Sequence, residues 1–343
     1  MRAVIKTGPG KGNVSLTQAP RPTPGRGEAL IEIKAVGVCG TDVEIYEGNF
    51  PTSIPVILGH EFAGVVAELG SGVEGVSVGE RVVAENTAGA CMSCELCRRG
   101  LSHICPQKRA YGSESDGCMA DYICLAASML HPIPDGLNDE EAALTEPLAV
   151  VNRGVVERID IKPESSVVIL GAGAIGLFAL QVCRLCGASD IILAGTARDA
   201  KTRFPAGARL GADRLVDVEQ ENLREVVAER TGGRGADFVI EASGSPAAVR
   251  EALHLAGRSK VISAIGLASQ EVCLDWDLAV IKEIDIKFSK SSSNMSWRRA
   301  LSMLQSGRVN AQELITHRYA LEDWEKAILA MRSGEAIKSV LTL

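Results

Sequence analysis

Short apolar runs broken by Gly and Pro fill the first part of the chain, at Ala29–Ile33, Ala63–Leu69, Arg81–Ala84 and Asp121–Leu125. Runs of this length between turn residues predict short strands, and so an antiparallel β or barrel-like domain up to about residue 151. From 152 to 290 the pattern alternates. Strands are predicted at Ser166–Leu170, Asp190–Ala194, Asp237–Ala242 and Lys260–Ile265, with helical periodicity near Ala174–Cys186, Asn222–Thr231 and Ala247–Leu255. Such alternation predicts an α/β domain with a parallel, doubly wound sheet. The Gly-Ala-Asp triplets at 211–213 and 235–237 read as helix stops.

Past residue 290 come a Ser-rich turn (Ser289 to Ser296), helical periodicity in Trp297–Leu304 and Asp323–Met331, and an apolar strand at Ser339–Leu343. A tail this short cannot enclose a core of its own. The pattern therefore predicts one domain from 1–151 and 291–343, with 152–290 inserted.

Composition narrows the function. At 343 residues, with 46% hydrophobic and 23% charged residues, the chain is globular and sized for about two domains. A net charge of −7 without basic runs argues against nucleic acid and anionic membrane as partners. Nineteen residues from Ser165 to Cys183 carry no charge, enough for a membrane span by length. The β-branched run Val167-Val168-Ile169-Leu170, then Gly171, Gly173 and Gly176, argue for strand, turn and helix instead. With no apolar leader after Met1, the expectation is a soluble, cytoplasmic protein, where clustered Cys means metal rather than disulfide.

Four of the ten Cys crowd together as Cys91-x2-Cys94-x2-Cys97-x7-Cys105. Four thiolates with no open position suit a structural Zn²⁺. The rival is an iron–sulfur centre, since CxxCxxC opens ferredoxin-type runs, but the long step to Cys105 disfavours it. Cys39-Gly40-Thr41-Asp42, Gly59-His60-Glu61 and Glu146 add a mixed thiolate, imidazole and carboxylate set. A mixed set leaves a coordination position for water or substrate, which is the catalytic pattern. Each residue also has a plain reading, Cys39 as a small buried hydrophobe and the two Glu as solvated.

Gly171-Ala172-Gly173-Ala174-Ile175-Gly176 follows a predicted strand and opens a predicted helix, the context a dinucleotide turn requires. One glycine turns, one admits the pyrophosphate and one lets the helix approach the strand. An acidic residue about 20 positions on would mark NAD. Here the second strand ends in Gly195-Thr196-Ala197-Arg198, where Thr196 and Arg198 suit a 2′-phosphate, with Lys201 and Arg203 nearby. Asp199 reads as a cap or first-turn acid. NADP is favoured over NAD.

Taken together, these motifs resemble the zinc-containing medium-chain dehydrogenases, and within them the sorbitol (polyol) and threonine dehydrogenase branch. The likeness runs along the whole chain, through Cys39-Gly40-Thr41-Asp42, Gly59-His60-Glu61-x2-Gly64-x5-Gly70, the four-Cys loop, Thr145-Glu146-Pro147-Leu148 and the Gly171 turn. It implies a GroES-like β domain carrying two zincs and a Rossmann domain carrying the nucleotide. It also implies catalytic-zinc positions at Cys39, His60 and Glu146, with Glu61 binding directly or through water. The family chemistry deprotonates a secondary alcohol on the metal and passes hydride to the nicotinamide, with Thr41 moving the alcohol proton. Pairing through the Rossmann sheets is implied as well, giving a homotetramer or dimer.

Several positions depart from the family pattern. Glu44 stands where the relay often continues to a His, and is either a proton acceptor or a surface residue. Ser292-Ser293 stand where the polyol branch places an Arg-Tyr pair. Tyr46 matches a substrate-pocket aromatic but reads equally as a packed one. Pro205 falls in a family helix, which is then broken or starts near Phe204. Cys118, Cys124, Cys183, Cys186 and Cys273 read as packing residues. The competing functions are a zinc-free quinone or enoyl reductase of the same fold, which would lack the ligand set, and a non-catalytic zinc-binding interaction protein, which would lack the cofactor turn.

Overall fold

A computed structural model describes residues 1–268 and 270–343. Two compact units divide the chain: Met1–Pro147 with Ser291–Gly307 and Ile315–Leu343, and Leu148–Lys290 with Arg308–Leu314.

The first unit is built on a seven-stranded sheet. Its order runs Ile315–Ala320, Lys338–Thr342, Glu28–Gly37, Glu61–Leu69, Arg81–Ala84, Leu130–Pro132, with Tyr122–Ala126 also on Glu28–Gly37. A smaller sheet joins Val14–Gln18, Arg2–Lys6 and Val56–Ile57. The long strand Glu28–Gly37 alternates apolar side chains into the core, where Ile31, Ile33, Val36, Phe62, Val82 and Trp324 meet. The four early apolar runs all form strands here. One feature departs from an all-antiparallel domain: Ile315–Ala320 and Lys338–Thr342 pair in parallel, because the helix Trp324–Ser333 returns the chain between them. The last strand then pairs antiparallel with Glu28–Gly37, through Val340 opposite Gly37.

The second unit holds a six-stranded sheet in the order Arg214–Asp217, Asp190–Gly195, Ser166–Leu170, Ala236–Glu241, Ala256–Ala264, Asp285–Phe288. Every pairing in it is parallel. In chain order this is 3-2-1-4-5-6, the doubly wound arrangement, and strand order reverses beside Ser166–Leu170, where such folds bind ligands. The uncharged stretch Ser165–Cys183 folds as strand, turn and helix Ala174–Leu185. Among the described residues no helix is long and apolar enough to cross a membrane.

Pro205 sits third in the helix Arg203–Arg209, capped by Thr202. In the first turn its missing N–H deprives the helix of nothing. The packing reading of the remaining Cys holds for Cys118 and Cys183, both fully buried, and fails for Cys273, which is exposed.

Candidate metal centres and cofactor turn

The four-cysteine loop is wound by local structure. Cys94 caps the short helix Glu95–Arg98, and its sulfur accepts the Cys97 N–H at 3.5 Å; Cys91 sulfur takes the Cys94 N–H at 3.3 Å and Cys105 sulfur that of Gln107 at 3.4 Å. Sulfur–sulfur separations are 4.0 Å (Cys91–Cys97), 3.9 Å (Cys94–Cys105) and 3.7 Å (Cys105–Cys91). Disulfide sulfurs would stand at about 2.05 Å. A tetrahedral Zn²⁺ with bonds of about 2.3 Å places its sulfurs about 3.8 Å apart, and the loop matches that spacing. Backbone N–H groups of Ser93 and Cys94 pull the Cys91 thiol down to about 6, whereas burial pushes Cys97 up to about 12. The donor set fits a structural zinc in spacing and chemistry.

The second centre joins distant parts of the chain. Ligand atoms of Cys39, His60 and Glu61 lie within 4.8 Å of one another. Cys39 caps the helix Gly40–Glu47, while His60 and Glu61 open the strand Glu61–Leu69. Asp42 fastens the two segments. Fully buried, it accepts the Cys39 N–H at 2.8 Å on one oxygen and the Gly59 N–H at 3.2 Å on the other, 4.0 Å from His60 Nδ1. Lys338, from the last strand, reaches the same place. Its ammonium donates to Glu61 Oε1 at 2.6 Å and to the Val38 carbonyl at 2.9 Å.

Glu61 Oε2 is buried without a hydrogen-bond partner. Such an orphan in a protein interior is costly, and a cation would satisfy it. Burial opposes charging His60, yet Cys39, Asp42 and Glu146 hold its pKa well above the usual imidazole range. The pocket is thus electronegative, and the residues fit a metal cation. Glu146 is buried too; desolvation lifts its carboxyl to about 7 against the pull of His60. It stands outside the mutual group of Cys39, His60 and Glu61 but within electrostatic reach of it.

The other expected residues are placed as follows. Thr41 Oγ1 is 3.8 Å from Cys39 sulfur. Glu44 lies one turn beyond Thr41 on the same helix and accepts the Asn49 amide at 3.2 Å. Tyr46 donates its hydroxyl to Glu325 at 2.8 Å and meets the Trp324 ring edge-on at 6.2 Å.

In the second unit, Gly171 has φ +107°, a conformation that favours glycine, and leaves strand Ser166–Leu170 for the helix Ala174–Leu185. Gly173 caps that helix without a side-chain bond, and a Cβ there would meet nothing within 4 Å. The first N–H groups, at Ala174 and Ile175, are thus open to a phosphate. A Cβ on Gly176 would stand 1.8 Å from the Gly171 carbonyl oxygen. Three glycines therefore have three separate causes. At the second strand's end, Asp199 folds under Gly195: its carboxylate accepts the Thr196 N–H at 2.9 Å and pairs with Arg203 at 2.9 Å. It is a turn acid, as expected, and Arg198 beside it is exposed.

Asp42 and Lys338 were not among the expected site residues. Asp42 carried a signal, since an Asp three residues after Cys39 is placed to cap that helix end. Lys338 carried a weaker one, a cation leading into an apolar strand.

An electronegative pocket built for a cation and a turn shaped for pyrophosphate define the class: a metal-dependent, dinucleotide-linked oxidoreductase. Residues 25–135 match the alcohol dehydrogenase GroES-like domain and residues 174–306 the zinc-binding dehydrogenase domain. The chain belongs to the zinc-containing medium-chain dehydrogenase family, on its polyol and threonine dehydrogenase branch. It is 38% identical to the sorbitol dehydrogenase of Halalkalibacterium halodurans, over 100% of this chain and 99% of that protein. The D-arabitol-phosphate dehydrogenase of Enterococcus avium is 34% identical, over 99% and 97%. A zinc-binding dehydrogenase structure from Sinorhizobium meliloti with NADP bound superposes with TM-score 0.91 at 30% identity, covering 100% and 99%.

Proposed function

We propose that this dehydrogenase oxidises a secondary hydroxyl of a polyol, sugar or amino alcohol, with two zincs per chain. The carrying observation is the Cys39–His60–Glu61 group, its imidazole and carboxylate buried, with an orphaned carboxylate oxygen. Cys39 and His60, with Glu61 or Glu146, would hold the catalytic ion; Cys91, Cys94, Cys97 and Cys105 would hold the structural one. The catalytic metal supplies Lewis acidity toward a hydroxyl or carbonyl oxygen, and the nicotinamide supplies the hydride acceptor. The chain's own residues do the rest. Asp42 fixes Cys39 relative to the Gly59–His60 segment, so the donor set is preorganised. Lys338 neutralises one oxygen of Glu61 and leaves the other facing the site. Thr41 takes the substrate proton at Oγ1, and Glu44, one turn along the helix, would receive it. Tyr46 has its hydroxyl and ring engaged by Glu325 and Trp324, which supports a packing role over substrate contact.

Gly171, Gly173, Ala174, Ile175 and Gly176 form the pyrophosphate cradle, with Gly195, Thr196 and Arg198 at the adenosine ribose. Asp199 is turned inward to Thr196 and Arg203, as a turn acid rather than a ribose ligand, which supports NADP. Zinc-free reduction would leave the Cys39 centre without a use, and a non-catalytic role would leave the cradle without one. The edge strand Asp285–Phe288 and the helix Trp276–Lys282 before it leave apolar residues bare, Phe288 at 70% and Trp276 at 72% exposure, with Val280 and Ile281 also exposed; this supports a homo-oligomer, a dimer or a tetramer. Ten free Cys support a reducing, cytoplasmic setting. The test is a panel of sorbitol, arabitol, threonine and their ketones, each with NAD and NADP. NADP-linked oxidation of a polyol is the expected result, and turnover of quinones or enones alone would contradict it.

A further inference from the structure

Glu241 ends the strand Ala236–Glu241, in register with Leu170 on one side and Ala264 on the other. It is 2% exposed, and among the described residues no Lys, Arg or His pairs with it. A glutamate is rarely buried this far without a partner charge. Neutral donors surround it instead. Its Oε1 accepts the Ser243 N–H at 2.9 Å, the Ser243 hydroxyl at 2.6 Å and the Gly244 N–H at 2.9 Å. Its Oε2 is turned to the end of the next strand, where a Cβ on Gly266 would stand 2.3 Å away. A carboxylate is thus held in the interior by dipoles alone.

Its place in the sheet is the cofactor crevice. Ser243, bound to the carboxylate, packs against the pyrophosphate turn: a Cβ on Gly171 would stand 3.0 Å from Ser243 Cβ and 3.1 Å from its backbone nitrogen. In a sheet ordered 3-2-1-4-5-6 a dinucleotide straddles the switch point, one mononucleotide over each half. The Gly171 turn and Gly195–Arg198 follow the first and second strands and serve the adenosine half. The nicotinamide half then falls to the ends of the fourth and fifth strands, where Glu241 and Gly266 stand. Neither metal binding nor the pyrophosphate cradle uses this carboxylate.

The oxidised and reduced cofactors differ by one charge, on a nicotinamide ring that is cationic when oxidised and neutral when reduced. Their phosphates are the same, so the repulsion of those phosphates by Glu241 cancels when the two forms are compared. A charge in the interior is little screened and acts over several ångströms. We propose that the Glu241 carboxylate discriminates between the redox forms of the cofactor, favouring the cationic, oxidised nicotinamide. This rests on the dinucleotide reading of the Gly171 turn and adds the residue that sorts the two forms.

Glu241→Gln keeps an oxygen for the three donors and removes the charge. Calorimetry on the zinc-replete full chain measures dissociation constants for NADP⁺ and NADPH, and for NAD⁺ and NADH. In Glu241→Gln the oxidised form should weaken relative to the reduced form at least about fivefold, within whichever dinucleotide binds. Glu241→Asp, which keeps the charge, should hold the native ratio within about twofold. A residue that merely holds the Ser243 loop would weaken both forms alike; an unchanged ratio in Glu241→Gln therefore overturns the proposal. Thermal melts without cofactor give a second readout. Loss of a buried, unpaired charge should leave Glu241→Gln no less stable than the native chain. A variant that melts lower or does not fold marks a structural role for the charge and overturns the proposal as well. If the native chain binds neither form of either dinucleotide, the cofactor reading falls and the proposal with it.

Discussion

Replacing Lys338 by Met would strand a carboxylate in the interior. The ammonium and the Glu61 carboxylate are 2.6 Å apart at 3% and 0% side-chain exposure, so neither has water as a substitute partner. The ammonium also satisfies the Val38 carbonyl. Removing one member of a buried ion pair costs about 3–5 kcal/mol, because the other charge is left uncompensated. Removing both charges, in Glu61→Gln/Lys338→Met, leaves only amide and thioether to pack and should recover about half of that loss or more. Urea unfolding of chelator-stripped protein measures both. Trp297 and Trp324 are buried in the first unit and Trp276 is exposed, so intrinsic fluorescence reports chiefly on the unit that holds the pair. Zinc should reduce the penalty in Lys338→Met, since a cation at the centre compensates Glu61. The reasoning is refuted if Lys338→Met costs under about 1 kcal/mol without metal, or if the double variant is no more stable than the single.

Three further outcomes follow from the geometry. Gly176→Ala puts a methyl 1.8 Å from the Gly171 oxygen and should lose both stability and cofactor binding, whereas Gly173→Ala should fold normally and weaken cofactor binding alone; thermal melts with and without NADPH separate them. Arg198→Ala should raise the KM for NADP about tenfold and leave that for NAD within about twofold, equivalent to about 1.4 kcal/mol lost at the 2′-phosphate; equal changes would contradict the NADP assignment. Charged replacements at Trp276 and Phe288 should shift the protein to a smaller species in light scattering, because those residues lie exposed at or beside the sheet edge.

Much of this is legible in the amino-acid sequence. The alternation of strands and helices placed four of the six parallel strands within a residue or two at most ends, because buried parallel strands read as continuous apolar runs, while the short, partly exposed strands Arg214–Asp217 and Asp285–Phe288 were not read. The four-Cys spacing and the Gly171 turn were legible because their partners are close in sequence. What sequence left open depends on contacts between distant segments. Tyr46 takes a partner 279 positions away in Glu325, and Glu61 takes one 277 away in Lys338. No local pattern encodes those pairings. The parallel pairing of Ile315–Ala320 with Lys338–Thr342 was hidden for a related reason: an intervening helix sets strand direction, and apolar alternation does not record it.

The central claim, that the Cys39–His60–Glu61 group is a catalytic zinc site, is tested most directly by zinc content measured together with turnover in Cys39→Ser. The account predicts two zincs per chain in the native protein, one in Cys39→Ser, and loss of polyol oxidation with the fold retained. Retained turnover in Cys39→Ser, or a single zinc in the native protein, would contradict it.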